Sequence, residues 1–310
     1  MKKTVVLIGL ILLILSIFAV DNRFINVIAR IRGVEANRIR VIDQNVMVNN
    51  LNQIWFYSLF NAWSPRMETS YLSVNTIEDL DLIGNRHLYI CSREPTNTVI
   101  EIDSLNQYGK ILFPYTITGD KITREGSMLY VADRFKGIDI LDIGSGGNRE
   151  LKSTFSEKWG ILDFIAQYPN LYALNDFGLV TVDISELQFP ISIGTNYEII
   201  NATRLVKNGD IVWIGAQKLL IAINIRDLNN PVLVNQYRFP YDIQDIEVKD
   251  NRLFVALGIG GIRILDIRNP SRIDELNWIN TGTPALDLAL KDDFVLVALG
   301  REGWIIYEYR

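Results

Sequence analysis

Residues 258 to 270 read GIGGIRILDIRNP, with glycines at Gly258, Gly260 and Gly261 ahead of an apolar run that ends on Asp266. A dinucleotide loop of the G-x-G-x-x-G kind must follow a strand and open a helix. Here Ile262, Arg263, Ile264 and Leu265 continue as the apolar face of a strand, with no helical spacing. The glycines are therefore expected to turn the chain between two strands by taking positive φ, not to cradle a phosphate.

The same stretch recurs along the chain. GIDILDI at 137 to 143, GLVTVDI at 178 to 184 and KLLIAINI at 218 to 225 are clear copies of GIRILDI, and TVIEID, GWIIYEY and IWFYSL are looser ones. Taking the polar residue near the end of each as a marker gives Ser58, Asp103, Asp142, Asp183, Asn224, Asp266 and Glu308, spaced 39 to 45 residues apart. A group present in every repeat is architectural by default. Each marker can accept a hydrogen bond from a backbone N–H in the following turn.

Each marker strand has companions at fixed offsets. A second apolar strand lies upstream (HLYI, MLYV, NLYA, DIVWI, RLFV, FVLV), and an alternating segment lies before that (IEDLDLI, ILDFIA, ATRLVK, IQDIEVK, ALDLALK). A fourth, proline-flanked segment follows several markers, as in NNPVLVNQYRF. Four short strands per repeat of about 42 residues is the period of a β-propeller blade. Seven markers predict an all-β, seven-bladed β-propeller of four-stranded blades. The last marker strand reaches the end of the chain, so its blade needs a fourth strand. FINVIARI at 24 to 31 can supply it, closing the ring and covering the open edge.

These repeats resemble those of the LVIVD-repeat proteins, most closely at GIRILDIRNP, GLVTVDISELQFP and IAINIRDLNNP. The resemblance spans about residues 38 to 310 and is weak before residue 80. It implies an exported β-propeller and says little about chemistry.

The N-terminus carries Lys2 and Lys3, then an apolar run from Val5 to Val20, then DNRF. That order is an export signal, either cleaved or kept as an uncleaved membrane anchor. As a helix the run would be about 24 Å long, near the lower limit for a span. The expected division is a hydrophobic helix within 1 to 21 and a propeller over 22 to 310, outside the cytoplasm in the cell envelope. The net charge of −5 argues against nucleic acid, whose phosphates need a basic surface. One cysteine, Cys91, and one histidine, His87, argue against a disulfide, a zinc cluster or a His-based relay. No cofactor is expected.

Two groups of candidate residues emerge. Aligning the first strands brings Arg38, Asp79, Lys121, Asp163, Thr203, Asp245 and Asp287 to one level around the central channel. They either form a small-ligand or cation site, or they are structural, each Asp bonding its neighbouring blade's backbone. The loops between second and third strands, and those between blades, emerge on one end of the ring. That face gathers Arg93, Glu94, Arg134, Lys136, Trp159, Asp176, Tyr241, Arg301 and Glu302, a mixture suited to recognition. The expected function is a scaffold that binds a protein or a cell-envelope polymer through this face, tethered to the membrane by its N-terminal segment. The alternative is a carbohydrate hydrolase or lyase acting through Asp163, Asp245 or Asp287.

Overall fold

The computed structural model describes residues 25–62, 64–73, 76–83, 87–91, 100–101, 110–111, 119–144, 150–156, 160–197, 199 and 201–309. The described residues contain no helix; they are strands and turns. The strands are β1 (Ile25–Ile31), β2 (Arg38–Ile42), β3 (Asn45–Asn49), β4 (Gln53–Ser58), β5 (Arg66–Leu72), β6 (Asp79–Ile83) and β7 (His87–Cys91). Next come β8 (Ile100–Glu101), β9 (Lys110–Ile111), β10 (Lys121–Glu125), β11 (Met128–Asp133), β12 (Gly137–Asp142) and β13 (Glu150–Phe155). They are followed by β14 (Asp163–Gln167), β15 (Asn170–Leu174), β16 (Leu179–Asp183), β17 (Ile191–Asn196), β18 (Ala202–Asn208), β19 (Ile211–Ala216), β20 (Leu219–Asn224) and β21 (Val232–Arg238). The last are β22 (Asp245–Lys249), β23 (Arg252–Ala256), β24 (Ile262–Asp266), β25 (Asp274–Ile279), β26 (Asp287–Lys291), β27 (Phe294–Ala298) and β28 (Trp304–Tyr309).

Among the described residues six antiparallel four-stranded blades form: β2–β5, β10–β13, β14–β17, β18–β21, β22–β25, and β26–β28 completed by β1. The expectation of seven such blades is corrected to six. Between the first two of them the described residues supply only the β6–β7 hairpin and a separate β8–β9 pair. The third strand expected there, TVIEID, offers fewer apolar residues than GIRILDI, and of it the described residues are Ile100 and Glu101, which pair with Ile111 and Lys110. The expected ring closure is observed. β1 lies antiparallel to β28, with Ile25 opposite Tyr309 and Ile31 opposite Trp304. The expected N-terminal hydrophobic helix lies outside the described residues, and no helix among the described residues is long and apolar enough to cross a membrane.

The core sits between blades. Tyr130, Ala132, Ile138 and Ile140 of one blade bury their side chains against Phe164, Leu171, Ala173, Val180 and Val182 of the next. Middle strands such as IVWIGA and LLIAIN are covered on both faces and are apolar up to the marker Asn224, whereas no residue of the outer strand VLVNQYR is fully buried. A register shift recurs between third and fourth strands, at Phe56/Tyr57, Ile140/Leu141, Thr181/Val182, Ala222/Ile223 and Ile264/Leu265. Such bulges increase local twist and bend the outer strand.

The markers behave as expected in the four strongest repeats. Asp142, Asp183, Asn224 and Asp266 each accept a hydrogen bond from the backbone N–H two residues on, at 2.8 to 3.0 Å. Ser58 instead donates its hydroxyl to Glu68, and Asp103 lies outside the described residues.

The opening glycines are turn residues. Gly258 and Gly261 have φ of 55° and 71°. A Cβ on Gly261 would stand 2.2 Å from the Ile279 carbonyl oxygen, whereas the nearest atom to one on Gly258 is 3.7 Å away. Gly261→Ala is therefore expected to cost more than the roughly 1 kcal/mol of an unfavourable backbone conformation alone, and Gly258→Ala about that much. Urea titration of the two variants checks the order.

Candidate functional site

Hairpin register fixes which side chains share a level in the channel. Asp245 pairs with Ala256, Asp287 with Ala298, Asp163 with Leu174, Lys121 with Ala132, Arg38 with Asn49 and Asp79 with Cys91. In β18 the residue at this level is Arg204, opposite Gly215, because a bulge between Ala202 and Arg204 absorbs one residue. Thr203 is displaced from the ring position that the sequence alignment assigned to it. Its hydroxyl donates instead to the Gly215 carbonyl at 3.4 Å.

With Arg204 in place, the order around the channel is Arg38, Asp79, Lys121, Asp163, Arg204, Asp245, Asp287. Each base pairs with the acid on the next inner strand: Arg38 with Asp79 at 3.6 Å, Lys121 with Asp163 at 3.5 Å and Arg204 with Asp245 at 3.2 Å. Each acid also reaches its following neighbour through Oδ2. Asp79 accepts from the Ile122 N–H, Asp163 from Leu205, Asp245 from Leu288 and Asp287 from Ile39, at 2.8 to 3.1 Å. These four acids are buried, so the bonds replace lost hydration and stitch the inner strands together. Each of these Asp side chains thus bonds the backbone of a neighbouring inner strand.

Alternation fails once, where Asp245 and Asp287 stand on adjacent strands. Below the ring, toward the far end of the channel, lies a cavity of about 260 Å³ lined by Arg40, Asp81, Thr123, Val206 and Glu247 as well as ring residues. Arg40 reaches up to Asp79 at 3.2 Å. Burial alone would raise the Asp79 carboxyl, but Arg40, Lys121 and Arg38 outweigh it and hold it down to about 2. The opposite holds on β22. Burial, reinforced by Asp287, raises Asp245 despite Arg204 and Arg40, and burial with Asp245 raises Glu247.

At the mouth beside the ring, five of the turns between second and third strands are tied to the connection entering the next blade. Ile77 N–H donates to Leu51 O, Ile199 to Phe177 O and Ile243 to Gln217 O, while Gly258 bridges Ala285 and Gly300 bridges Ala36. The turns are built in two ways. Asn50, Asp133 and Asn175 hold their turns with side-chain oxygens that accept backbone N–H groups. The two turns nearest the chain's end use glycine instead. Both constructions lift an apolar side chain at the tip: Leu51 is 67% exposed, Phe135 89%, Phe177 42% and Ile259 75%.

Of the residues expected on this face, Arg134, Lys136, Asp176, Arg301 and Glu302 are exposed here, and Tyr241 is 38% exposed. Lys136 is paired with Asp139 at 2.5 Å. Arg93, Glu94 and Trp159 lie outside the described residues. Tyr241 packs over Gly260, where an added Cβ would come within 2.4 Å of its ring. The Gly260 carbonyl accepts from Trp278 Nε1 and Arg263 Nη1, both at 3.0 Å, and Arg263 lies over the Trp278 ring at 4.7 Å. The apolar tips stand in the sequence as Phe135 in DRFK, Phe177 in NDF and Ile259 in GIGG. The surviving signal was an apolar residue at the same place in unrelated turns. Arg204 carried no such signal, because its position depends on a bulge.

Blades of this kind, an axial channel and an N-terminal closing strand define a β-propeller. A family model described as LVIVD repeat matches residues 121–154 and 242–281, which supports the resemblance to the LVIVD-repeat proteins. No curated protein matches the chain significantly. Among solved structures it is similar to a chain of the mitotic checkpoint complex, with TM-score 0.71, 12% identity, and 92% of this chain and 94% of that one covered. It is also similar to the WD40 β-propeller domain of Doa1, with TM-score 0.70, 9% identity, and 92% and 97% covered. BamB from Moraxella catarrhalis aligns with TM-score 0.64, 12% identity, and 89% and 83% covered. At these identities the likeness is one of fold.

Proposed function

We propose that the protein is a binding scaffold that recognises a protein partner through the channel mouth bearing Leu51, Phe135, Phe177 and Ile259. The observation that carries this reading is that four separately built turns each raise an apolar side chain at one mouth. Exposed apolar groups grouped in this way favour association with another surface. Tyr241 and Trp278, held around Gly260, add rigid aromatic area beside Ile259. Two of the structural neighbours are a chain of a named complex and a WD40 domain, which agrees with a protein partner.

The lysine-led apolar N-terminal run supports export and tethering. β1 begins at the end of the ring opposite the apolar tips, so a tether there would leave the binding mouth facing away from the membrane. An envelope polymer is the second ligand class this mouth could take. The hydrolase alternative drew on Asp163, Asp245 and Asp287, and all three accept backbone hydrogen bonds, which favours binding over catalysis.

The test is capture of a partner from envelope extract by the full chain and by a variant with Leu51, Phe135, Phe177 and Ile259 all changed to serine. The variant is expected to lose capture by at least about tenfold, with its melting temperature within a few degrees of the parent. Equal capture by the two proteins would overturn the assignment of this face.

A further inference from the structure

The end of the ring opposite the apolar tips is the end at which third strands finish. β4 closes there on Ser58 and β16 on Asp183, and β28 brings Glu308 opposite Asn26 of β1. Exposed apolar side chains stand at this end too. Phe60, just past β4, is 86% exposed, and Phe189, in the connection from β16 to β17, is 71% exposed. Tyr168 in the β14–β15 turn and Ile191 at the start of β17 are also exposed. Hydrogen bonds hold this group in place. The Tyr168 hydroxyl donates to Ser185 O at 3.2 Å, its N–H to Glu125 Oε2 at 2.7 Å, and the Phe189 N–H to Glu186 O at 2.8 Å. The sequence brings a long apolar stretch to the same end. From Val20, the last residue of the apolar run, to Ile25, the first of β1, the chain can reach at most about 17 Å. Counting blades from the one that β1 completes, through β22–β25 and β18–β21, the third is β14–β17. Tyr168, Phe189 and Ile191 therefore lie across the channel from β1, whereas Phe60 lies on the blade beside it, through the contact of β2 with β26.

We propose that this end of the ring rests on a lipid bilayer, with Phe60 entering the headgroup layer near the tether and Tyr168, Phe189 and Ile191 entering it across the channel. The proposal rests on the tethering put forward above and adds an orientation to it. A single tether limits the distance of the ring from the membrane and leaves its tilt free. Apolar side chains on both sides of the ring axis gain by leaving water for the interface, so together they set the tilt as well. Phenyl and phenol rings suit that layer, where one part of the side chain is apolar and the other meets headgroups. Charge decides which lipid is involved. Asp183, Asp227 and Asp266 lie at the same end, so anionic headgroups would be repelled and the contact is with uncharged lipid. Held in this way, the mouth bearing Leu51, Phe135, Phe177 and Ile259 faces away from the bilayer.

The test reconstitutes the full chain in phosphatidylcholine vesicles whose acyl chains carry bromine, a short-range quencher. One fluorophore is placed on Phe60→Cys, Phe189→Cys or Phe135→Cys. Cys91 is fully buried, so the label goes to the introduced thiol. Labels at 60 and 189 are expected to be quenched at least about twofold more than the label at 135, which marks the far mouth. Adding Tyr168→Ser and Ile191→Ser should reduce the quenching at 189 by about half, and admixing anionic lipid should strengthen neither signal. A chain that does not float with the vesicles would sink the tethering and this proposal together. A chain that floats but is quenched equally at all three positions would leave the tethering standing and overturn the lipid contact alone. Quenching at 189 that ignores the two serines would overturn it too.

Discussion

Asp79→Ala is expected to lower stability by about 3–5 kcal/mol, because it removes one partner from a buried charged network. Asp79 pairs with Arg38 and Arg40, stands close to Lys121 and accepts the Ile122 N–H, so its loss leaves cations and a backbone donor without their acceptor. Thr203→Ala, the neighbouring substitution that sequence alignment would have ranked beside it, is expected to stay within about 0.5 kcal/mol. Urea denaturation of the two variants at neutral pH separates them, and equal losses would mean that the ring is not the network described. The Asp79 contribution also has a pH signature. Its folded carboxyl is depressed to about 2, so its stabilisation is complete above the ordinary carboxylate value and is lost as pH falls through about 2.

Deleting residues 25–31 is expected to have the larger effect, abolishing a single cooperative thermal transition. β1 supplies the outer strand of the last blade, pairing along β28 from Ile25–Tyr309 to Ile31–Trp304. Its removal uncovers the β28 edge and leaves Ile28, Ala29 and Ile31 absent from the apolar cluster around Trp304 and Ile306. It also removes the strand by which the N-terminal part of the chain joins the sheet of the C-terminal part. A loss of this size compares with the whole stability of a domain, about 5–15 kcal/mol. Calorimetry of the truncated chain should show a broadened or missing transition, and a peptide of residues 24–31 should restore part of it. A transition within a few degrees of the parent's would show that the ring closes without its clasp.

Much of this architecture was legible in the residues. The period, the four-strand unit and the closing strand all follow from alternation and spacing, because a pleated strand shows its buried face in every second residue. The marker turns were legible for a similar reason: an Asp or Asn two residues before a free N–H makes a local contact that needs no distant partner. The second unit was not, since its described residues supply the β6–β7 hairpin and the β8–β9 pair and not one four-stranded sheet.

The fate of GIGGIRILDIRNP marks the boundary. Its sequence determined that it turns and then runs as a strand, since helix periodicity is missing after Gly261. Only the tertiary structure decided what the turn presents, with Ile259 at its tip and Tyr241, Trp278 and Arg263 gathered around Gly260. The channel ring divides in the same way. That acids and bases recur at one repeat position could be read from the chain. That Arg204 displaces Thr203, and that Asp245 is left beside Asp287, could not. Both depend on a bulge and on the number of strands around one axis, which are properties of the closed ring and not of any single repeat.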